Sequence, residues 1–160
     1  VTTEDNRYAM YLATQCTDAP FPTSWKTWQA DNTRTDKAAP FQTWGNAWFN
    51  APCLYWPVKP GPAPKIDGSK VTGGPLLISE TLDGATPYSG ALNARRLFPR
   101  SSLIEGVGGT THASSLSGVA CTDDAVAAYL GRGTLPKRVA GNRSDKQCPP
   151  LPQPDPTKQQ

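Results

Sequence analysis

Asp83 and His112 are the two residues whose types and setting could do proton-transfer chemistry together. His112 is the chain's single histidine, and it closes a glycine-rich loop, Gly106-x-Gly108-Gly109. Asp83 sits in an acidic turn, Glu80-Thr81-Leu82-Asp83-Gly84-Ala85-Thr86. A carboxylate on one ring nitrogen of an imidazole fixes its tautomer and stabilises the imidazolium, leaving the other nitrogen free to take a proton from a nucleophile. The pair therefore reads as the acid and the base of a catalytic triad. The glycines allow the loop to fold back and bring the imidazole to a cleft.

The elements that must position this pair are legible around it. The apolar run Pro75 to Ser79 reads as a strand, and Ser102-Leu103-Ile104 as a second. Between them Thr86 and Pro87 predict the start of a helix, with Thr86 as cap and Pro87 in the first turn. Ala91, Leu92, Ala94, Arg95 and Leu97 continue it, and Pro99 ends it. Strand, helix and strand form a βαβ unit, which predicts an α/β fold. Asp83 and His112 then follow successive strands at the carboxyl edge of a sheet, where active sites of α/β proteins lie.

Composition narrows the rest. The 160 residues suit one ordinary domain, and the net charge of +3 carries no basic block, so nucleic acid is not an expected partner. No run of eighteen apolar residues exists, so no membrane span is expected. Four cysteines without a Cys-x-x-Cys pair, beside one histidine, do not make a usual zinc site, and neither metal nor cofactor is expected. The glycines at 106–109 lack the spacing and the Lys-Ser/Thr ending of a phosphate loop. Disulfides fit the cysteines better and imply an extracytoplasmic location. Of the three possible pairings, Cys16–Cys53 with Cys121–Cys148 is favoured, because each bond staples an otherwise irregular region. The start at Val1-Thr2-Thr3-Glu4 suits a processed product or a fragment.

In chain order, residues 4 to 15 carry helical spacing, and all five tryptophans fall between 25 and 56. Trp25 and Trp28, and Trp44 and Trp48, can each share a helix face, so helices are expected at about 23–38 and 40–50. Their aromatics serve either as the core of a small helical subdomain or as the lining of a pocket for apolar or proline-containing groups. Residues 57–74 form a Pro/Gly-rich connector, 75–138 the α/β core, and 139–160 a polar, proline-rich tail, disulfide-anchored and largely disordered. A last helix is expected from Thr122 to Leu130, capped by Thr122 and stopped by Gly131 and Gly133. Asn142-Arg143-Ser144 matches a glycosylation sequon, a weak pattern.

The missing piece is a nucleophile. Gly-x-Ser-x-Gly, the elbow that presents a catalytic serine, occurs nowhere. In α/β-hydrolases the triad runs serine, acid, histidine, so a chain with only the last two reads as the carboxyl-terminal part of a longer enzyme. Several stretches then carry a family resemblance: Leu76-Leu77-Ile78-Ser79, Leu82-Asp83-Gly84-Ala85-Thr86-Pro87-Tyr88, Arg95-Arg96-Leu97, His112, and Ala128-Tyr129-Leu130-Gly131-Arg132-Gly133-Thr134-Leu135-Pro136. Together they resemble the carboxyl-terminal region of secreted bacterial tripeptidyl aminopeptidases, which are serine exopeptidases of the α/β-hydrolase fold. Cys16-Thr17-Asp18 and Cys53-Leu54-Tyr55-Trp56-Pro57 resemble that family's cap region.

The resemblance implies the last strands and helices of an α/β-hydrolase sheet, with residues 1–56 as a Trp-rich helical cap segment. It implies Asp83 as triad acid and His112 as general base, with the nucleophilic serine and the oxyanion hole in the amino-terminal part of the same enzyme, a required partner. It further implies secretion, a peptide substrate and release of tripeptides from free amino termini. Thr111 stands before His112, where the family commonly has glycine. Glu80 and Asp18 are the nearby carboxylates that could hold a substrate ammonium, Glu80 being expected in a solvated loop. The alternatives are an esterase or lipase of the same fold, or a non-catalytic peptide-binding module.

Overall fold

The computed structural model describes residues 3–153, 155 and 157. Its contacts divide the chain into two units, Val1–Lys65 and Ile66–Gln160, with the division inside the Pro/Gly-rich connector. Among the described residues no helix is long and apolar enough to cross a membrane.

The first unit is helical: α1 (Thr3–Asp18), α2 (Trp25–Asp36) and α3 (Thr43–Asn50), followed by a 3-10 turn at Ala51–Tyr55. Leu12 and Cys16, one turn apart on α1, are buried with Cys53, and Tyr8, Tyr11, Phe21 and Trp56 pack around them. The Cys16–Cys53 disulfide runs through this cluster. A unit this small has few aliphatic residues, so aromatics and a covalent bond replace a larger core. The tryptophans divide by role. Trp28 is buried, stacks on Phe21 and donates its indole N–H to Pro22 O at 2.8 Å. Trp25 stacks across onto Trp48, which stays 60 % exposed.

The second unit holds β1 (Leu76–Glu80), α4 (Tyr88–Leu97), β2 (Ser102–Gly106), α5 (Ala120–Arg132) and β3 (Lys146–Cys148). The strands form one parallel sheet in the order β1-β2-β3. Leu76 to Glu80 pair with Ser102 to Gly106, and Ile104 to Gly106 with Lys146 to Cys148. Central β2 is buried along its whole length, with Leu103 and Ile104 fully inaccessible. The run Leu76-Leu77-Ile78 on β1 is only half-buried. Ile104 packs with Ala125 of α5, Cys148, Leu76, Ile78 and Cys121, while α4 lies against β1 and β2. Continuous burial is the pattern of a parallel strand covered by helices, and both α4 and α5 pack against this sheet.

Several local expectations change. Thr86 does not cap α4; Pro87 takes that position, and the Thr86 hydroxyl is drawn to Asp83 instead. The last helix begins at Ala120, so Thr122 lies inside it and is buried. Its N-terminal approach is tied by Asp123, which accepts from Gly118 N at 2.8 Å. Gly131 is helical, and left-handed Gly133 (φ 65°) ends the helix. The Ser144 hydroxyl of the sequon is buried and donates to Glu105.

The stretch from Val139 was expected to be a tail, yet it carries β3, a strand with no apolar run to announce it. Asp145 explains it. Its carboxylate accepts from Arg95 Nε (2.8 Å) and Nη2 (2.6 Å), and from the amides of Leu103 (2.8 Å) and Val139 (2.7 Å). Arg95 also donates to Gly141 O and Val139 O. The pair is buried, with side chains 5 % and 0 % exposed. Burial opposes ionisation of Asp145, but Arg95 and the two amides outweigh it and hold the carboxyl below its ordinary range. The Cys121–Cys148 disulfide then fastens the end of β3 to α5. Polar side chains and a covalent bond thus replace apolar side chains in holding this strand.

Arg95→Ala leaves the Asp145 charge buried and unpaired, which is expected to cost about 3–5 kcal/mol at neutral pH. Denaturant titration would show it, and the loss should shrink in acid as the orphaned carboxyl regains its proton. A loss below ~1 kcal/mol would contradict this account.

Candidate active site

Asp83 and His112 meet at the carboxyl edge of the parallel sheet. β1 ends at Glu80, a turn closed by Asp83 N on Glu80 O (3.4 Å) reverses the chain, and α4 starts at Tyr88. β2 ends at Gly106, and the glycine loop carries on to His112. Because the strands are parallel and in register, both loops leave from the same edge and can bond to each other. They do so at three points, two between backbones and one onto a side chain: Thr81 N to Gly106 O (3.1 Å), Leu82 N to Gly109 O (2.9 Å) and Gly108 N to Thr81 Oγ1 (2.7 Å). Gly108 has φ 76°, the one left-handed glycine of this loop.

The Asp83 carboxylate is almost fully used. Oδ1 accepts from Ala85 N (2.8 Å) and Thr86 N (3.1 Å), an Asx-type turn. Oδ2 accepts from the Thr86 hydroxyl (2.6 Å) and meets His112 Nδ1 at 2.9 Å. The Thr86 hydroxyl, then His112, then the Thr86 amide hold the Asp83 carboxyl far below its usual range, against a smaller effect of burial. Asp83 stays an acceptor, so Nδ1 carries the proton and Nε2 of the neutral ring is the basic nitrogen. The Asp83 side chain is 5 % exposed and that of His112 59 %. The dyad is thus fixed on its carboxylate side and open on its imidazole side.

Thr86 Oγ1 also lies 3.4 Å from His112 Nδ1, so one hydroxyl touches both members of the pair. The sequence signal for Thr86 pointed to a helix cap and missed this. Directly after His112, Ala113 has φ 62°, a left-handed conformation uncommon for a residue with a side chain. It turns the chain away after His112.

Glu80 is not the solvated loop carboxylate expected of it. It is 3 % exposed, and its Oε2 accepts from Thr111 N at 2.5 Å. Among the described residues no serine hydroxyl bonds His112; its partners are Asp83 and Thr86. The arrangement can take a proton at Nε2, hold the resulting imidazolium against Asp83, and return the proton to a leaving group.

Comparison with known proteins follows the same residues. The family model described as "TAP-like protein" matches residues 39–148. Tripeptidyl aminopeptidase of Streptomyces lividans is 38 % identical over 134 residues, 84 % of this chain and 25 % of that protein. Carboxylesterase B of Mycobacterium tuberculosis is 36 % identical over 130 residues, 79 % of this chain and 24 % of its own length. Serine protease Hip1 of the same organism is 32 % identical over 128 residues, again 24 % of its length. The chain spans about a quarter of the curated relatives it matches. No solved structure matches it.

Proposed function

The chain belongs to the TAP-like family, and from that membership we propose that it supplies the acid and base of a secreted serine peptidase that releases short peptides, tripeptides in particular, from free amino termini. The observation that carries this reading is the 2.9 Å contact between Asp83 Oδ2 and His112 Nδ1, in a histidine whose side chain is otherwise largely exposed. Similarity to tripeptidyl aminopeptidases supports the peptide substrate. Disulfides at both Cys16–Cys53 and Cys121–Cys148 support an oxidising, extracellular setting.

In this reading His112 Nε2 removes the proton from an upstream serine as its oxygen attacks the scissile carbonyl. The proton passes to the departing amine, and water repeats the sequence to free the peptide acid. Upstream amides hold the oxyanion. The upstream part is therefore the required partner. Half-buried Leu76, Leu77 and Ile78 support that partnership, beside an apolar groove lined by Leu77, Ile78, Ala91 and Ala94. Residues 1–56 are the cap segment of this enzyme, and exposed Phe41 and Trp48 are its candidates for peptide contact.

The test is to express the full-length protein, or this chain together with the upstream part, and to assay tripeptide amides with free and blocked amino termini. Turnover of the free form alone supports the reading. Similarity to carboxylesterase B favours ester hydrolysis as the second reading, and ester turnover without peptide turnover would establish it. Peptide binding with no turnover of either would point to a non-catalytic module.

Thr86→Val removes the hydroxyl that donates to Asp83. One hydrogen bond to a charged group is worth about 1.5–3 kcal/mol, so kcat should fall roughly tenfold or more with KM little changed. Thr86→Ser should retain most of the activity.

A further inference from the structure

We propose that Glu80 is a positioning residue for His112, acting through the backbone amide of Thr111. The inference rests on the catalytic reading of the Asp83–His112 pair. A carboxylate at the end of β1, next to a proposed active site, would be the obvious anchor for a substrate amino terminus. Its burial rules that out, since a substrate ammonium has no route to a side chain 3 % exposed. A buried carboxylate needs partners, and among the described residues its hydrogen-bond partner is the Thr111 N–H, one residue before His112.

The glycines of the loop supply an independent line of evidence. Gly106 and Gly109 are buried and, unlike Gly108, do not have left-handed backbones. Conformational freedom therefore does not explain why they lack side chains. Space does. A β-carbon at Gly106 would lie 2.9 Å from Glu80 Cγ, and one at Gly109 would overlap the carboxylate itself. Strand end and loop are cut to fit each other, with Glu80 filling the place of two missing side chains.

The consequence for the site is geometric. Three bonds tie the loop of residues 106–109 to the Asp83 turn, but none of them reaches beyond Gly109. The Glu80–Thr111 bond is the fourth, and it is the one next to the imidazole. Without it, Thr110 to His112 keep only an exposed bond from Gln153 Nε2 to Thr110 Oγ1 (3.0 Å) and the ring's own contacts to Asp83 and Thr86, and the 2.9 Å contact to Asp83 would be intermittent. A displacement of about 1 Å at a reacting group can cost on the order of a hundredfold in rate.

The single histidine makes a direct test simple. Imidazole 15N shifts of the deprotonated ring report which nitrogen carries the proton, here in the 160-residue chain. The unaltered chain and Glu80→Gln, which keeps an acceptor oxygen, are expected to hold the Nδ1–H tautomer. Glu80→Ala is expected to shift His112 toward the Nε2–H form that a free imidazole prefers, with the melting temperature confirming a folded chain. If Glu80→Ala does not fold, Gly109→Ala decides, because it displaces the carboxylate without straining the backbone. A tautomer ratio unchanged in the folded Glu80→Ala chain, or in Gly109→Ala, overturns the proposal, as does a Gln variant that behaves like Ala. In the full-length enzyme, kcat should fall about 10- to 100-fold in Glu80→Ala, with KM within about twofold and with recovery in Glu80→Gln. An unaltered enzyme that cleaves neither peptide nor ester would refute the catalytic reading, while the tautomer measurement still judges Glu80.

Discussion

His112→Ala in the full-length enzyme is expected to lower kcat for a tripeptide amide by roughly five to six orders of magnitude, with KM little affected. The size follows from the division of labour. An alkyl hydroxyl gives up its proton at neutral pH only to a neighbouring base, and in this chain the imidazole at the edge of the sheet is the group placed for that role. Substrate binding would use the cap and the upstream part, which the substitution leaves alone. The residue left behind is exposed, so a melting temperature near the original is expected alongside the loss. Activity within tenfold of the original would end the triad assignment.

Asp83→Asn is the second large effect, at roughly three to four orders of magnitude in kcat. The amide keeps the shape of the carboxylate but offers an N–H where Nδ1–H must be received. The ring then turns its proton to Nε2, where the serine proton would have to go. Asp83 also governs the pH dependence by not titrating. The Thr86 hydroxyl first, and His112 second, hold its carboxyl far below the usual range, so it remains ionised throughout the working pH. Asp83 should therefore contribute no proton to the acid limb of kcat/KM; a carboxylate titration within that limb would contradict this account. The stability Asp83 contributes has a definite sign. It is fully present above the unfolded value, ~3.9, and is lost as the pH falls through the depressed native value.

Most of the site was legible because its signals are local. Apolar runs bounded by glycine and proline mark β1 and β2, and the parallel pairing brings Asp83 and His112 together without further information. Periodicity placed α2 and α3 to within a few residues. The features that escaped depend on partners distant in sequence. β3 has no pattern of its own and exists because Asp145 meets Arg95 and Leu103, both more than forty residues away. Thr86 carries a strong cap signal, yet the nearby carboxylate outcompetes the helix end for its hydroxyl. Glu80 looks solvated in a turn of polar neighbours, and only the absence of side chains at Gly106 and Gly109 shows where it goes. Sequence spacing could favour the Cys16–Cys53 and Cys121–Cys148 pairing, which the structure contains, but it could not sort the tryptophans. That division comes from contacts between helices.

The late position of β3 has a consequence for how the protein is made. Synthesis proceeds from the amino end, so β1, α4, β2 and α5 leave the ribosome before Asp145 and Cys148 do. During that interval the outer edge of β2 has no neighbour, Leu103 N–H lacks its acceptor, and Cys121 is an unpaired thiol. Arg95 waits with its charge unmatched. A nascent chain in this condition offers an open strand edge to any other chain nearby. Residues 145–148 then close it together: a carboxylate followed by three strand residues, the third of which carries the sulfur.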